Sequence, residues 1–411
     1  MDLDQQAREE VGQTEFWSAS KWLLLVGFVL PLIGFPVADF IARADRGETV
    51  GEFFDEVFDI GAAWWRPVAG RGGERGGFFA RNDASLREIK DFESWVNQTN
   101  ILREQLVSAY QGILYKVFQT GTIQVMVGKA GWLYFADDSR YVTARRNEAA
   151  FASAAEEIVS FHGELRSRGI DLLVVPVPVK QVVEAGNLSR RIPADHPALH
   201  PPAFGQWQRT VLAAGVSVLD PTPWMLAARD RGETVFLRAD THWRPETVQG
   251  VAKEVVAALL GNGFEPGDSE PEVGRLAVSN RGDLWDLLET ESHYAGVGPE
   301  TILLDRLRVP LVGEPEVLVL GDSFVNIYAT ENLKWGTRAG FAEQLERLIK
   351  VPVRRIAFNG DGINAPRKEL ARLQASGELD LSKVRAVVWV FAVRDLALKD
   401  WERIGFGHGK F

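Results

Sequence analysis

Residues Glu316–Tyr328 read EVLVLGDSFVNIY, a short apolar run closed by Gly-Asp-Ser. A continuous apolar run of this length is the pattern of a strand covered on both faces, and the glycine after it permits a sharp turn. Open α/β sheets do their chemistry at the carboxyl ends of their strands. That edge is where this reading puts Ser323, with backbone N–H groups nearby to hold an oxyanion. The same tripeptide also makes an ordinary helix N-cap turn, so taken alone it leaves both readings open.

Working outward, IDLLVVPVP (Ile170–Pro178), VRRIAFN (Val353–Asn359) and VRAVVWVF (Val384–Phe391) are runs of the same buried kind. VSVLD (Val216–Asp220) and TVFLR (Thr234–Arg238) are shorter strand candidates. Apolar spacing turns helical over 150–168, 245–260, 339–349 and 365–375, with Pro245 in a first helical turn. Residues 261–272, rich in glycine and acids, read as a surface loop. Alternation of this kind predicts an α/β fold, a mainly parallel sheet flanked by helices on both faces. Upstream, VMVGKAGWLYF (Val125–Phe135) alternates and turns at glycines like a hairpin, and 85–119 has the threes and fours of a helical stalk.

A serine hydroxyl is a poor nucleophile until a base takes its proton. FLRADTHWRPE (Phe236–Glu246) offers that base, His242, with Asp240 two residues before it at the mouth of a helix. In extended chain, residues i and i+2 project to one side, so the carboxylate can brace the imidazole. Of the six histidines, His162, His196, His200, His293 and His408 lack such an arrangement and read as surface groups. IAFNGDGIN (Ile356–Asn364) ends the next strand. There Asn359 and Gly360 either donate hydrogen bonds to an oxyanion or form a tight turn.

The chain has 411 residues, 46% of them hydrophobic and 25% charged, enough for more than one cored domain. A net charge of −10 argues against a general nucleic-acid binder. With no cysteine, disulfides, thiolate nucleophiles and Cys-based metal sites are excluded. An acyl-transfer mechanism on Ser, His and Asp needs neither metal nor cofactor. WLLLVGFVLPLIGFPVA (Trp22–Ala38) carries no charge and as a helix spans about 26 Å at 1.5 Å per residue, enough for a bilayer core. The acidic segment before Lys21 suits an uncleaved anchor better than a secretory signal. AGRGGERGG (Ala69–Gly77) lacks the Lys-Ser/Thr of a phosphate loop and reads as a linker.

GDSF followed by NGDG at the next strand end resembles the first two blocks of SGNH hydrolases. DTHW ahead of the serine resembles the permuted order of the alginate O-acetyltransferase group, AlgJ/AlgX. FESWVNQTNILREQLVSAY, VGKAGWLYF, VPVPVK and GDLWDLL (Gly282–Leu288) are similar to other parts of that group, so the likeness runs from about Phe92 to Leu396. The resemblance implies an SGNH hydrolase-like fold that moves acetyl groups through an acylated Ser323, with His242 as base then acid and Asp240 orienting it. It implies a polysaccharide acceptor, a membrane-bound O-acyltransferase as acetyl supplier, and a catalytic domain in the periplasm on a single inner-membrane helix. Four segments are then expected: a cytoplasmic tail 1–21, an anchor 22–41, a linker and helical stalk 42–120, and a catalytic domain 121–411.

The third SGNH block departs from the pattern: AVRDL (Ala392–Leu396) has Arg394 where asparagine is usual. Arg394 is read either as a substrate or oxyanion contact or as the partner of a scaffold acid. Tyr328, Trp335 and Arg338 follow the nucleophile and are candidates to line an acceptor groove, with core packing the simpler role for Trp335. Two other functions share these residues: an esterase, in which water attacks the acyl-enzyme, and a non-catalytic envelope scaffold.

Overall fold

The strand that ends in Gly-Asp-Ser is one of nine among the residues described by the computed structural model, namely 103–144, 147–290 and 298–405, with Ile41. In chain order the strands are β1 (Val125–Val127), β2 (Leu133–Phe135), β3 (Asp171–Val177), β4 (Ser217–Val218), β5 (Val273–Asn280), β6 (Glu300–Leu307), β7 (Val317–Gly321), β8 (Val353–Ala357) and β9 (Ala386–Ala392). Five form one all-parallel sheet in the order β4-β3-β9-β7-β8. β7 and β9 are buried at every residue, the burial that their unbroken apolar runs require.

The chain divides into two compact units, Met1–Tyr110 and Gln111–Phe411. The second contains the whole sheet. The first is described only at Ile41 and over the early turns of the helix Arg103–Ile113. The apolar run Trp22–Ala38, the glycine-rich stretch, most of the predicted stalk, His293 and His408 lie outside the described residues. Among those described, no helix is long and apolar enough to cross a membrane.

Register brings the strand ends together. Gly321 of β7 lies opposite Ala357 of β8 and Val390 of β9, and Ala392 lies opposite Val177 of β3. A Cβ on Gly321 would sit 2.3 Å from the Val325 side chain and 2.5 Å from the Val390 carbonyl, so only glycine lets the chain turn here. The helices Glu148–Arg166, Pro245–Gly261, Phe341–Ile349 and Ala365–Ala375 stand where the spacing puts them.

Three readings need correction. Thr234–Arg238 is not a strand of the sheet: Phe236 bridges only to Trp243, because the chain folds straight back on itself. Two pairs close this turn, Leu237 N–H to the His242 carbonyl (3.0 Å) and Arg244 N–H to the Val235 carbonyl (3.0 Å). β5 and β6 form an antiparallel ribbon that the strand analysis missed, though its alternating exposure follows the period-two pattern. Finally, His196 and His200 are not surface groups. The proline-rich loop carries them inward: His196 is buried, and His200 bonds to Tyr141 (2.7 Å) and Thr222 (3.0 Å) while stacking on Phe204.

A second, smaller apolar cluster sits apart from the main core. It joins Tyr115, Val125, Leu133, Ala239, Leu284, Trp285 and Leu288. The β1–β2 hairpin, the turn before Asp240 and the Gly-Asp-Leu-Trp segment therefore pack as one body.

Candidate active site

Asp240 and His242 meet because the backbone bends, not because it is extended. Oδ1 of Asp240 accepts from the His242 backbone N–H (2.9 Å) and from its ring Nδ1 (2.8 Å), the pattern of an Asx turn. Oδ2 accepts from the Asp283 backbone N–H (3.0 Å) and the Trp335 indole N–H (2.8 Å). Four donors thus converge on one carboxylate that is 1% exposed. Burial on its own would raise the Asp240 pKa, but the hydrogen bonds and charge of His242 and the Trp335 bond outweigh it and hold the group ionised.

An ionised Asp240 accepts, so Nδ1 of His242 carries the proton and Nε2 presents its lone pair. Nε2 is buried and, among the described residues, has no hydrogen-bond partner, Ser323 Oγ included. Burial pulls the His242 pKa down, yet the Asp240 bond and charge, with Asp283 and Asp322 adding, raise it overall.

The serine turn stands against this ring. Phe324, next to Ser323, lies 4.9 Å from the imidazole centre, and Trp243, next to His242, donates its indole N–H to the Phe324 carbonyl at 3.0 Å. Trp243 is fully buried and stacks on Phe341. Burying such a side chain, about 200 Å² at roughly 25 cal/mol per Å², contributes about 5 kcal/mol before the entropy of ordering it. Asp322 caps the turn: Oδ1 accepts from Phe324 N–H and Oδ2 from Ala392 N–H, both at 2.8 Å, which ties the nucleophile loop to the end of β9. Asn326 reaches the other way, donating to the Ala357 carbonyl (3.1 Å) and to Asn359 Oδ1 (2.8 Å). Gly360 follows in the left-handed region at φ +80° and is exposed.

Other candidates are placed differently. Tyr328 is buried, and its hydroxyl donates to the Trp243 carbonyl at 2.6 Å. It therefore braces the site from inside the core and does not line a groove. Trp335 is buried too, but as the indole donor to Asp240. Arg338 is exposed and donates to the Arg308 carbonyl at 2.5 Å. Arg394 pairs with buried Asp138 at 2.8 Å, over the Phe135 ring.

Asp283 was not singled out from the sequence, although the segment that carries it was. Its Oδ2 is 3.7 Å from His242 Nδ1 and its Oδ1 accepts from Thr241 N–H at 2.7 Å. Its side chain is about one-third exposed, and burial together with the Asp240 charge pushes its pKa up to about 6. Gly282 makes this approach possible. It sits at φ +102°, and a Cβ there would be 2.4 Å from the Ala239 carbonyl. Glu300 of β6 clamps the far side of the turn, accepting from Arg238 N–H (3.0 Å) and pairing with Arg244.

Donor atoms of Asp240, His242 and Asp283 lie within 4.8 Å of one another, the spacing of a metal site. Both Asp240 oxygens and Asp283 Oδ1 already accept N–H groups, and His242 Nδ1 is one of those donors, which makes it a poor one. The arrangement suits proton transfer at Nε2.

Comparison with known proteins places the chain in a family. Residues 125–393 match the family model described as SGNH hydrolase-like domain, acetyltransferase AlgX. A probable alginate O-acetylase AlgJ of Pseudomonas syringae pv. tomato is 25% identical over 292 residues, 69% of this chain and 71% of that protein. A probable alginate O-acetylase AlgJ of Pseudomonas putida is 26% identical over 297 residues, 70% of this chain and 74% of that protein. The solved O-acetyltransferase domain of Pseudomonas putida AlgJ shares the fold, with a TM-score of 0.53 at 24% identity, covering 67% of this chain and 93% of that one.

Proposed function

The chain belongs to the family of SGNH hydrolase-like acetyltransferase domains represented by AlgX, and from that premise we propose that it O-acetylates an exported, alginate-like polysaccharide. Ser323 is the nucleophile, His242 the general base and then acid, and Asp240 the group that fixes the imidazole. The observation that carries this reading is the bare Nε2 of His242, its other nitrogen locked on Asp240 and its ring against the residue after Ser323.

In the first half-reaction Ser323 Oγ bonds to the acetyl carbonyl carbon as its proton passes to Nε2. Backbone N–H of Gly360 and the side-chain amide of Asn359 hold the oxyanion. Collapse expels the donor's leaving group, which takes the proton from His242, and the acetyl group stays on Ser323 as an ester. In the second half a sugar hydroxyl gives its proton to Nε2 and attacks that ester, and Ser323 leaves with the proton restored. Arg394 keeps its charge at this edge on Asp138, so any contact with an anionic sugar unit falls to the N–H groups that Asp138 does not take.

An integral membrane O-acyltransferase supplies the acetyl group in this reading. The Trp22–Ala38 run anchors the chain in the inner membrane, with the 42–120 region leading to a catalytic domain in the periplasm. The AlgJ relatives support an extracytoplasmic catalytic domain, and the apolar run Trp22–Ala38 supports the anchor.

The test uses an acetyl ester donor and defined oligosaccharides. Mass spectrometry is expected to find acetyl on Ser323 without acceptor, and on the oligosaccharide with it. Acylated Ser323 beside oligosaccharide of unchanged mass overturns transfer in favour of hydrolysis.

A further inference from the structure

Among the described residues, the segment that carries the dyad belongs to no strand ladder. Phe236 pairs only with Trp243 across their own turn, so the carbonyls further along must find partners elsewhere. Lys180, the first residue of a short helix after β3, supplies them. Its Nζ donates to the carbonyls of Arg238 (2.8 Å) and Asp240 (2.9 Å), and to that of Leu133 in β2 (2.7 Å). Leu133 closes the loop by donating its own N–H to the Arg238 carbonyl at 2.9 Å. One ammonium thus does for this turn what a row of strand N–H groups would do.

The chemistry of the match is specific. An ammonium has three N–H donors and no acceptor, and three carbonyls take all three. The side chain has no exposed surface, and the charge lies 5.0 Å from the Trp132 ring centre and 5.2 Å from that of Tyr134. No donor is left over for a substrate. Burying an ammonium among carbonyls and rings is costly, which a simple staple between two loops would not require.

We propose that Lys180 is a positioning residue for the reaction: by gripping the Asp240 carbonyl it holds that carboxylate on its donors and so aims His242. The proposal rests on the reading of His242 as the base. Burial lowers the Lys180 pKa to about 8, while Asp240, Asp283, Glu184 and Glu300 resist that fall, and buried Asp138 lies in the same field. The neutral amine keeps only two N–H donors, so one of the three carbonyls is released as pH rises through that value.

The full-length chain is compared with Lys180→Met, which keeps length without donors, and Lys180→Arg, which stays charged. Proton NMR of the His242 Nδ1–H needs no turnover and is the first readout. That proton is expected to be exchange-protected in the parent and in Lys180→Arg, and to exchange at least about tenfold faster in Lys180→Met. The second readout is Ser323-dependent cleavage of p-nitrophenyl acetate. Lys180→Met lowers kcat by about 30-fold, with KM within about threefold, as expected for a misaimed group. In an Asp240→Asn background it adds no further loss. A folded Lys180→Met with protected Nδ1–H and parental kcat overturns the proposal, as does a loss that is additive with Asp240→Asn. If the parent shows no Ser323-dependent cleavage, the catalytic reading fails, and the NMR result alone decides whether Lys180 positions Asp240.

Should Lys180→Met not fold, pH decides. The parent is expected to lose Nδ1–H protection above pH 8, whereas Lys180→Arg keeps it to about pH 10. A parent protection factor unchanged from about pH 7 to 11, a range that covers the ordinary ammonium pKa as well as the lowered one, overturns the proposal whether or not Lys180→Arg folds.

Discussion

The indole N–H of Trp243 donates to the carbonyl of Phe324 at 3.0 Å, joining the residue after the proposed base to the residue after the proposed nucleophile. Two loops 81 positions apart in the chain are thereby fixed to each other at a buried point. Trp243→Phe keeps an aromatic ring but leaves that carbonyl without a donor, which costs about 1–3 kcal/mol. Chemical denaturation is expected to show that loss, and kcat to fall more than KM changes, because the gap between ring and hydroxyl is no longer set.

Ser323→Ala removes one half-buried oxygen from a turn whose cap is Asp322. Acetyl transfer and ester cleavage are expected to vanish, while the unfolding free energy stays within about 0.5 kcal/mol of the parent. Unfolding in denaturant, run beside the assay, checks both halves.

Asp240→Asn keeps the shape and loses the charge. The amide cannot accept from all four donors, and the neutral ring no longer has a reason to keep its proton on Nδ1. By analogy with other triads a fall in kcat of about 10⁴ is expected. Trp335→Phe removes a single donor from the same carboxylate, so a milder loss, about tenfold in kcat, is expected with about 1.5–3 kcal/mol of stability. Steady-state kinetics on the two variants should rank them in that order.

His242 must be neutral to take a proton, and its folded pKa is raised above the ordinary 6.5. Ester cleavage is therefore expected to climb with pH through a value above 6.5. The stability linked to the same shift runs the other way. It is fully present below 6.5, the pKa of the unfolded chain, and is lost as pH rises through the folded value. In Asp240→Asn the bond that raises the pKa is gone and burial pulls it down, so the residual activity is expected to begin at lower pH. A pH–rate profile and melting temperatures for the parent and His242→Gln check the two trends.

The parallel sheet was legible because its strands are covered on both faces, and burial of that kind leaves unbroken apolar runs such as Val317–Gly321 and Ala386–Ala392. TVFLR misled for the same reason. Its residues Val235, Phe236 and Leu237 are buried, but in a turn that closes on Trp243, and burial alone does not distinguish the two. His242 and Asp240 were found because they adjoin in sequence. Trp335 and Asp283 reach the same carboxylate from 95 and 43 positions away, and no local pattern encodes such distances. Gly282 was the available signal for Asp283. Tyr328 went astray because proximity to Ser323 in sequence does not say which way a ring points, and its backbone at φ +68° turns it inward.

The satellite cluster of Tyr115, Leu133, Ala239, Trp285 and their neighbours has a thermal consequence. The alcohol rides on the sheet, the deepest part of the molecule, whereas the brace on the imidazole leans on Ala239, Leu284 and Trp285, whose cluster has seven buried side chains among the described residues, while Trp243 holds the other side of the turn in the main core. Regions with fewer buried contacts open at lower free energy than the core. On gradual heating, inactivation then precedes melting, and cooling restores the enzyme as long as the sheet has not come apart.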